Sequence, residues 1–252
     1  MSRRKKLTID ELDPVLVPGL TRGTTPPAID WPTMFGNGNP VEVEIGFGKG
    51  LFLQTASGKN PDRNYFGVEI IRKYQLLAAT RLIQTGRTNV RVACADGKIV
   101  LNEQISAATV DDAHVYFPDP WWKKRHKKRT LFTPDFAESL ARILKPGGIL
   151  HIATDVLEYF ALMQLTLSVL PAFSPMEPWV EKEPEHGLDY LTHFERKFRI
   201  EGRPIGRAMY RRTTAAWESP PGAKILPEPA DGADVEDEVE VEEAEETRDD
   251  GE

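Results

Sequence analysis

Hydrophobic and polar residues alternate along the chain in a pattern that predicts strands and helices in turn. A helix is predicted near residues 72–84, and another begins at Thr133, a favourable N-cap that Pro134 follows, and stops at residues 145–148. A chain that alternates in this way folds as a parallel sheet with helices on both faces. The pattern therefore predicts an α/β fold, with strands at residues 41–45, 65–69, 89–93, 113–117 and 149–153.

Acidic residues stand at or just beyond the end of each predicted strand. These residues are Glu44, Glu69, Asp96, Asp119 and Asp155. Open parallel sheets bind ligands at the carboxyl ends of their strands. Asp96 or Asp155 alone could simply cap the next helix, but five acids at one edge predict a binding site. So acidic an edge disfavours a nucleoside triphosphate and suits a cationic ligand that carries ribose hydroxyls.

A glycine-rich loop follows the first of these strands, with glycines at positions 46, 48 and 50. A dinucleotide fingerprint would require glycine where Leu51 stands, and a Walker loop would require Ser or Thr directly after Lys49. Glycines let the backbone approach a ligand closely, and Glu69 can accept hydrogen bonds from both hydroxyls of a ribose. The arrangement resembles the S-adenosylmethionine site of Rossmann-like methyltransferases, with Gly46, Gly48, Gly50 and Glu69 as candidate ligand-binding residues.

Residues 117–129 combine an acid, two tryptophans and a run of cations. Pro118 and Pro120 bracket Asp119 and restrict its backbone to a turn or an extended conformation. The two tryptophans that follow offer flat surfaces for stacking a base, and the cations can bind phosphates. The run also fits a nuclear-import signal or a solvated surface strip. Its members are Lys123, Lys124, Arg125, His126, Lys127, Lys128 and Arg129.

Charge is divided unevenly along the chain, although the net charge is −7. Residues 228–252 hold 14 Asp or Glu and one Arg, whereas residues 1–227 hold 31 Lys or Arg against 25 Asp or Glu. We therefore expect an irregular arm over residues 1–40, a globular domain over residues 41–226, and a disordered acidic tail over residues 227–252.

Cysteine and hydropathy patterns indicate the environment of the protein. The single cysteine, Cys94, excludes an internal disulfide and a cysteine-rich zinc site. No apolar run approaches the roughly 18 residues of a membrane span, and no apolar segment follows the charged start of the chain. The pattern predicts a cytoplasmic protein without a membrane anchor, and no metal site is expected.

Together, the turn and its basic run resemble the tRNA (guanine-N7)-methyltransferase family, which shares a Pro-Asp-Pro-Trp turn leading into Lys-Lys-Arg-His. Thr154-Asp155 and the segment Thr192-His193-Phe194-Glu195 resemble that family as well. The resemblance implies a Rossmann-like class I fold with a mostly parallel seven-stranded sheet. It also implies that Glu44, Glu69, Asp96 and Asp119 line the methyl-donor site. Substrate contacts would come from Lys123, Asp155, Thr192, His193, Phe194 and Glu195, and RNA contacts from residues 124–129.

The resemblance implies methyl transfer from S-adenosylmethionine to N7 of a guanine in tRNA, and points to guanine 46 of the variable loop. Asp119 is the candidate catalytic residue, because its carboxylate could hold the guanine while the base becomes cationic. Two alternatives remain open. The Asp-Pro-Trp turn also resembles that of methyltransferases acting on exocyclic amines of adenine or cytosine, and the chain could be a catalytically silent RNA-binding protein. No protein partner is implied.

Overall fold

The predicted strands lie side by side in one sheet. The computed structural model describes residues 7–17, 28–120, 130–177 and 192–218. Within these ranges the strands are β1 (Leu16–Val17), β2 (Val41–Ile45), β3 (Asn64–Glu69), β4 (Val90–Cys94), β5 (Val110–Tyr116), β6 (Leu144–Thr154), β7 (Phe173–Pro175) and β8 (Gly206–Arg212). The helices are α1 (Ile9–Leu12), α2 (Trp31–Phe35), α3 (Leu51–Lys59), α4 (Arg72–Gln84), α5 (Gly97–Ile99), α6 (Pro134–Ile143), α7 (Leu157–Ser168) and α8 (His193–Ile200). A π-helical turn, Val100–Gln104, continues α5.

The sheet is mostly parallel, which confirms the predicted α/β class. Its strand order is β1-β4-β3-β2-β5-β6-β8-β7 across the described part of the chain. Strands β1 to β6 pair in parallel, and β8 runs antiparallel between β6 and β7. Seven strands were expected, and the described residues form eight. The additional strand, β1, has two residues, which pair with Val92 and Ala93 of β4.

Part of the segment 1–40 has regular structure where it is described. Helix α1 begins with a capping box between Thr8 and Glu11. Leu12 and Val15 are buried, and the carbonyl of Val15 accepts a 2.8 Å hydrogen bond from the backbone N–H of Val92. These contacts pack the segment against the edge of the sheet at β4. The sequence pattern gave no sign of them, and the domain boundary at residue 41 stays a prediction.

The central strands are buried on both faces, although β2 alternates Val and Glu along its length. Every residue of β2 and of β3 is buried. Phe66 belongs to the core that α6 and α7 cover, whereas its neighbour Tyr65 belongs to the core that α3 and α4 cover. Successive side chains of a strand point to opposite faces, so one short strand contributes to both cores. The parallel strands therefore lie between two helical layers, and the loops after their carboxyl ends form one edge.

Two helix boundaries follow local sequence signals. Helix α4 spans Arg72–Gln84, as predicted, and Thr133 caps α6 by accepting a hydrogen bond from the backbone N–H of Phe136. Helix α6 ends at Ile143, before the predicted stop at residues 145–148. Strand β6 begins at Leu144, earlier than the predicted residue 149, because Leu144 already pairs with Val110 of β5. Among the described residues, no helix combines the length and the apolarity needed to cross a bilayer.

The cap of α6 provides a test of this local reading. Thr133→Ala removes the oxygen that accepts the Phe136 N–H, so we expect the free energy of unfolding to fall by about 1 kcal/mol. Thr133→Ser retains the acceptor and is the matched control, which should remain near the wild type. Urea unfolding followed by circular dichroism measures both variants. Equal losses in the two variants would show that the hydroxyl does not stabilise the helix.

Candidate active site

Glu44 is the most deeply buried of the predicted acids. It lies on β2 with 2% of its surface exposed, and its Oε2 atom has no hydrogen-bond partner among the described residues. Burial raises the pKa of Glu44 well above its ordinary value, and the neighbouring charge of Glu69 raises it further. Burial therefore disfavours the ionised form of Glu44, and its Oε2 atom is left unmatched among the described residues. Such an atom is suited to a ligand that donates a hydrogen bond.

Glu69, at the end of β3, is held by backbone donors on both sides. Its Oε2 accepts from the N–H of Gly48 at 2.9 Å, and its Oε1 accepts from the N–H of Ile71 at 2.9 Å. Burial raises the pKa of Glu69, these backbone hydrogen bonds oppose the rise, and the charge of Asp119 adds to it. A carboxylate has about four acceptor positions, so two bonds leave capacity for a ligand. The loops fix the direction of the carboxylate before any ligand arrives.

Asp119 lies three residues beyond β5 and is electrostatically coupled to Glu69. The residue as a whole is exposed. Its carboxyl group is nevertheless partly desolvated by the surrounding protein, which raises the pKa of Asp119. Glu69 is thus coupled to Glu44 on one side and to Asp119 on the other. These three predicted acids come together at the carboxyl edge of the sheet.

The other two predicted acids have local partners. Asp96 caps α5, since its Oδ1 accepts from the N–H of Lys98 at 2.9 Å. Asp155 does not cap the next helix with its side chain, and forms an ion pair with Arg203. The capping alternative therefore describes Asp96 and not Asp155. A direct role for either acid in ligand binding stays a prediction.

The glycine loop adopts a backbone that other residues rarely accept. Gly46, Gly48 and Gly50 have φ angles of 79°, 52° and 75°. A Cβ atom on Gly50 would lie 2.6 Å from the Cβ of Ala78, so this glycine allows the loop to pack directly on α4. A Cβ on Gly46 would meet no atom within 4 Å. The loop is thus closed on its α4 side and open at Gly46, where backbone can meet a ligand.

The predicted segment 192–195 forms the first turn of α8. Thr192 caps the helix, accepting from the N–H of Glu195 at 3.0 Å. Nε2 of His193 lies 2.8 Å from Nη1 of Arg81, and burial lowers the pKa of His193 to about 4, with Arg81 adding to the effect. Glu195 is buried and pairs with Arg207 at 2.5 Å. The turn therefore contributes an uncharged histidine and a carboxylate already matched by a cation.

An aromatic cluster joins α8 to the turn that follows β5. Phe117 has a φ of 52°, which is unusual for a side chain of this size, and its N–H donates to the carbonyl of Ala153 at 2.7 Å. Its ring centroid lies 6.3 Å from that of Phe194 and 5.6 Å from that of Phe198. Arg203 stacks on Phe198, with 4.2 Å between its Cζ atom and the ring centroid. The strained turn and the helix thus form one wall beside the glycine loop.

A row of polar side chains lies beneath α3, on the sheet face that carries Glu44. Glu42 forms an ion pair with Arg63. Its Oε2 atom lies 2.8 Å from Nε2 of His114, within hydrogen-bond distance. Nδ1 of His114 lies 2.9 Å from the hydroxyl of Tyr116. Burial raises the pKa of Tyr116 well above its ordinary range, and Glu44 and Glu42 raise it further. The row holds the Tyr116 hydroxyl, still protonated, close to Glu44.

Four residues of this region were not predicted from the sequence: Arg81, Tyr116, Arg203 and Arg207. The three arginines have partners distant along the chain; Arg81 and His193, for example, are 112 residues apart, whereas Tyr116 contacts His114 two residues away. No spacing rule connects the arginine pairs, so only the folded chain reveals them. The predicted residues Trp121 and Trp122 and the basic run Lys123, Lys124, Arg125, His126, Lys127, Lys128 and Arg129 lie outside the described residues.

The sheet, the loop and the acids together define a class of protein. An open, mostly parallel sheet with a glycine loop after β2 and an acid at the end of β3 is the scaffold of class I methyltransferases. Among solved structures, a 16S rRNA (adenine(1408)-N(1))-methyltransferase of Catenulisporales acidiphilia shares this fold with a TM-score of 0.52. It is 14% identical, and the match covers 73% of this chain and 90% of that one.

Sequence comparisons narrow the class to a family. A family model described as "Putative methyltransferase" matches residues 38–208. A tRNA (guanine-N(7)-)-methyltransferase of Rhodopirellula baltica is 44% identical over 193 residues, which cover 74% of this chain and 71% of the relative. One from Yersinia pseudotuberculosis is 31% identical over 212 residues, 84% of this chain and 87% of the relative. The chain belongs to the tRNA (guanine-N7)-methyltransferase family, which confirms the resemblance.

The burial of Glu44 predicts how stability depends on pH. The folded-state pKa lies above the ordinary value of 4.5, so the neutral form stabilises the fold at low pH and this contribution is lost as pH rises through the folded-state pKa. Glu44→Gln keeps the shape and cannot ionise. Relative to the wild type, we expect it to gain up to about 1.4 kcal/mol in free energy of unfolding per pH unit between the two pKa values.

Urea unfolding of both proteins between about pH 5 and pH 8 measures this difference. Glu103→Gln, which makes the same replacement at an exposed carboxylate, is the matched control. A constant difference between wild type and Glu44→Gln across this range would contradict a raised pKa of Glu44.

Proposed function

We propose that this protein methylates N7 of a guanine in tRNA with S-adenosylmethionine as the donor, acting in the cytoplasm on guanine 46 of the variable loop. The observation that carries the proposal is the coupled set of Glu44, Glu69 and Asp119 beside the glycine loop. Membership of the family supports the choice of reaction and substrate.

The residues at the sheet edge fit S-adenosylmethionine. When bound, this cofactor supplies an electrophilic methyl group on a cationic sulfur. Glu44 offers a buried acceptor without a partner, which suits an ammonium group, and Glu69 retains acceptor positions for ribose hydroxyls. Gly46 presents open backbone on the same side. We propose Glu44, Gly46, Gly48, Gly50 and Glu69 as the donor-binding residues, with Asp96 and Asp119 completing the site.

The reaction requires the protein to align the two reactants, and it does not require a general base. Guanine N7 carries a free lone pair, so no side chain must remove a proton from it. Holding two reacting groups in line can supply on the order of 7–11 kcal/mol. Asp119 would accept hydrogen bonds from N1–H and the amino group of the guanine, which leaves N7 unobstructed. Its negative charge would also stabilise the base as positive charge develops on it.

Asp155 and Glu195 are proposed to contact the substrate from the opposite wall, together with Thr192, His193 and Phe194. Both carboxylates are paired with arginines, Asp155 with Arg203 and Glu195 with Arg207. A carboxylate has about four acceptor positions, so an N–H group of the base could share these oxygens with the arginines. The exposed ring of Phe194 offers a surface for stacking.

RNA geometry limits which guanines could react. N7 lies in the deep, narrow major groove of an A-form helix, where side chains do not reach it. The target should therefore be an unstacked guanine in a loop, which agrees with a position in the variable loop. Lys123 is proposed to contact the substrate and residues 124–129 to bind the phosphates around it; all of them lie outside the described residues.

A direct experiment separates this function from the alternatives. Unmodified tRNA is incubated with the protein and methyl-labelled S-adenosylmethionine, and its nucleosides are analysed by mass spectrometry. We expect labelled 7-methylguanosine, mapped to guanine 46 by cleavage at the modified base. Label in a methylated exocyclic amine of adenine or cytosine would indicate the other methyltransferase reaction. Binding of tRNA without any methylation would indicate a silent RNA-binding protein.

Asp119→Ala should abolish methylation while tRNA affinity stays within a few-fold of the wild type, because the variant removes a contact to one base and no phosphate contact. Single-turnover assays and filter binding measure the two effects. Asp62→Ala is the control: Asp62 is an exposed carboxylate before the amino end of β3, at the opposite edge of the sheet. Near-normal turnover in Asp119→Ala would rule out the proposed role.

Neutralising Lys124, Lys127 and Lys128 should weaken tRNA binding and flatten its dependence on salt. Each lost phosphate contact removes up to about 0.7 from the slope of log affinity against log salt for single-stranded RNA. Titrations at several salt concentrations measure this slope. If the triple alanine variant keeps the slope of the wild type, the run is a solvated surface strip.

A further inference from the structure

One arginine side chain joins the two halves of the proposed site. Nη1 of Arg81, on α4, donates to the carbonyl of Lys49 in the glycine loop at 2.9 Å. The same nitrogen lies 2.8 Å from Nε2 of His193, the first residue of α8. Burial, with Arg81 adding to it, lowers the pKa of His193 to about 4, so the imidazole is neutral at physiological pH and can accept this hydrogen bond. A single guanidinium group thus connects loop and helix.

The glycine-loop side of this connection is rigid. Gly50 packs on Ala78, three residues before Arg81 on α4, so closely that a Cβ would lie 2.6 Å from the Ala78 side chain. Gly48, on the other side of Lys49, donates its N–H to Glu69. Arg81 therefore holds the carbonyl between these two fixed points. Any shift of Arg81 acts on the same short stretch of backbone that orients Glu69.

The α8 side carries the residues proposed to contact the guanine. Thr192 caps the helix one residue before His193, and Glu195 follows two residues after it. The ring of Phe194 reaches the glycine loop, with its Cε2 atom 4.0 Å from where a Cβ of Gly48 would lie. Because a first turn of helix moves as a unit, the bond to His193 sets the position of all four residues relative to the loop.

We propose that Arg81 is a positioning residue that fixes the distance between the donor-binding glycine loop and the guanine-binding turn of α8, an inference that rests on the proposed function. Arg81 touches neither reacting group in this arrangement. It acts through Lys49 on one side and through His193 on the other. Misplacement of reacting groups by about 1 Å can cost on the order of 100-fold in rate, so a residue in this role affects the chemical step more than binding.

The first test observes the connection without any reaction. Hydrogen exchange of the full-length protein is measured with and without S-adenosylhomocysteine. In the wild type we expect the product to slow exchange both in the glycine loop and in the first turn of α8. In Arg81→Met the loop should still be protected and α8 should not. Protection of α8 that persists in Arg81→Met would overturn the proposal.

The second test measures the chemical step. In Arg81→Met we expect the single-turnover rate of tRNA methylation to fall on the order of 10- to 100-fold, while affinities for S-adenosylhomocysteine and tRNA change little. Arg81→Lys keeps a charged donor and should recover part of the rate. A rate equal to that of the wild type in Arg81→Met would overturn the proposal, as would losses of affinity that account for the whole effect.

Arg87→Met is the matched control. Nε of Arg87 donates to the carbonyl of Gln54 on α3 at 3.1 Å, so this variant also loses an arginine bond to a backbone carbonyl. It should leave the rate and the exchange of α8 unchanged, and thermal unfolding of all variants checks for global destabilisation. If the wild type itself produces no 7-methylguanosine, the proposed function fails, whereas an active wild type with an unaffected Arg81→Met refutes only the positioning role.

Discussion

The burial of carboxyl groups at one edge of the sheet is the constraint on which the site depends. Glu44 has no hydrogen-bond partner for Oε2 among the described residues, and Glu69 is buried beside it. Two ionised carboxylates in a poorly hydrated site repel each other, so burial and the charge of Glu69 raise the pKa of Glu44. A cation that donates hydrogen bonds would oppose this rise. Such an edge would favour a positively charged ligand, and a polyphosphate would add to the repulsion.

The glycine loop complements this constraint by fixing the acids before a ligand binds. Glu69 accepts one hydrogen bond from Gly48 and another from Ile71, so its orientation comes from two loops at once. The left-handed backbone at Gly48 and Gly50 makes the first of these bonds compatible with close packing on α4. Preorganised donors and acceptors of this kind need not rearrange during a reaction, which is where much of the advantage of an enzyme site arises.

The carboxylates of the opposite wall differ from those of the acidic edge, because each is already paired with an arginine. Asp155 pairs with Arg203, and Glu195 pairs with Arg207. Arg203 also stacks on Phe198, which packs against the strained residue Phe117. These contacts tie the turn that carries Asp119 to α8. A base entering between the walls would meet fixed carboxylates on one side and an aromatic surface on the other.

The sequence by itself determined the α/β alternation, the bounds of α4, the cap of α6 at Thr133 and the grouping of Glu44, Glu69 and Asp119 at one edge. These features depend on local propensity and on the rule that the carboxyl ends of parallel strands lie at one edge of the sheet. Both can be recognised from the spacing of residues in the sequence. Only the tertiary structure decided that Asp155 pairs with Arg203 and that Arg81 bridges Lys49 and His193. It also decided that β1 joins the sheet. Such contacts join residues far apart in the chain, and their geometry is set by how helices and strands pack, which no local pattern encodes.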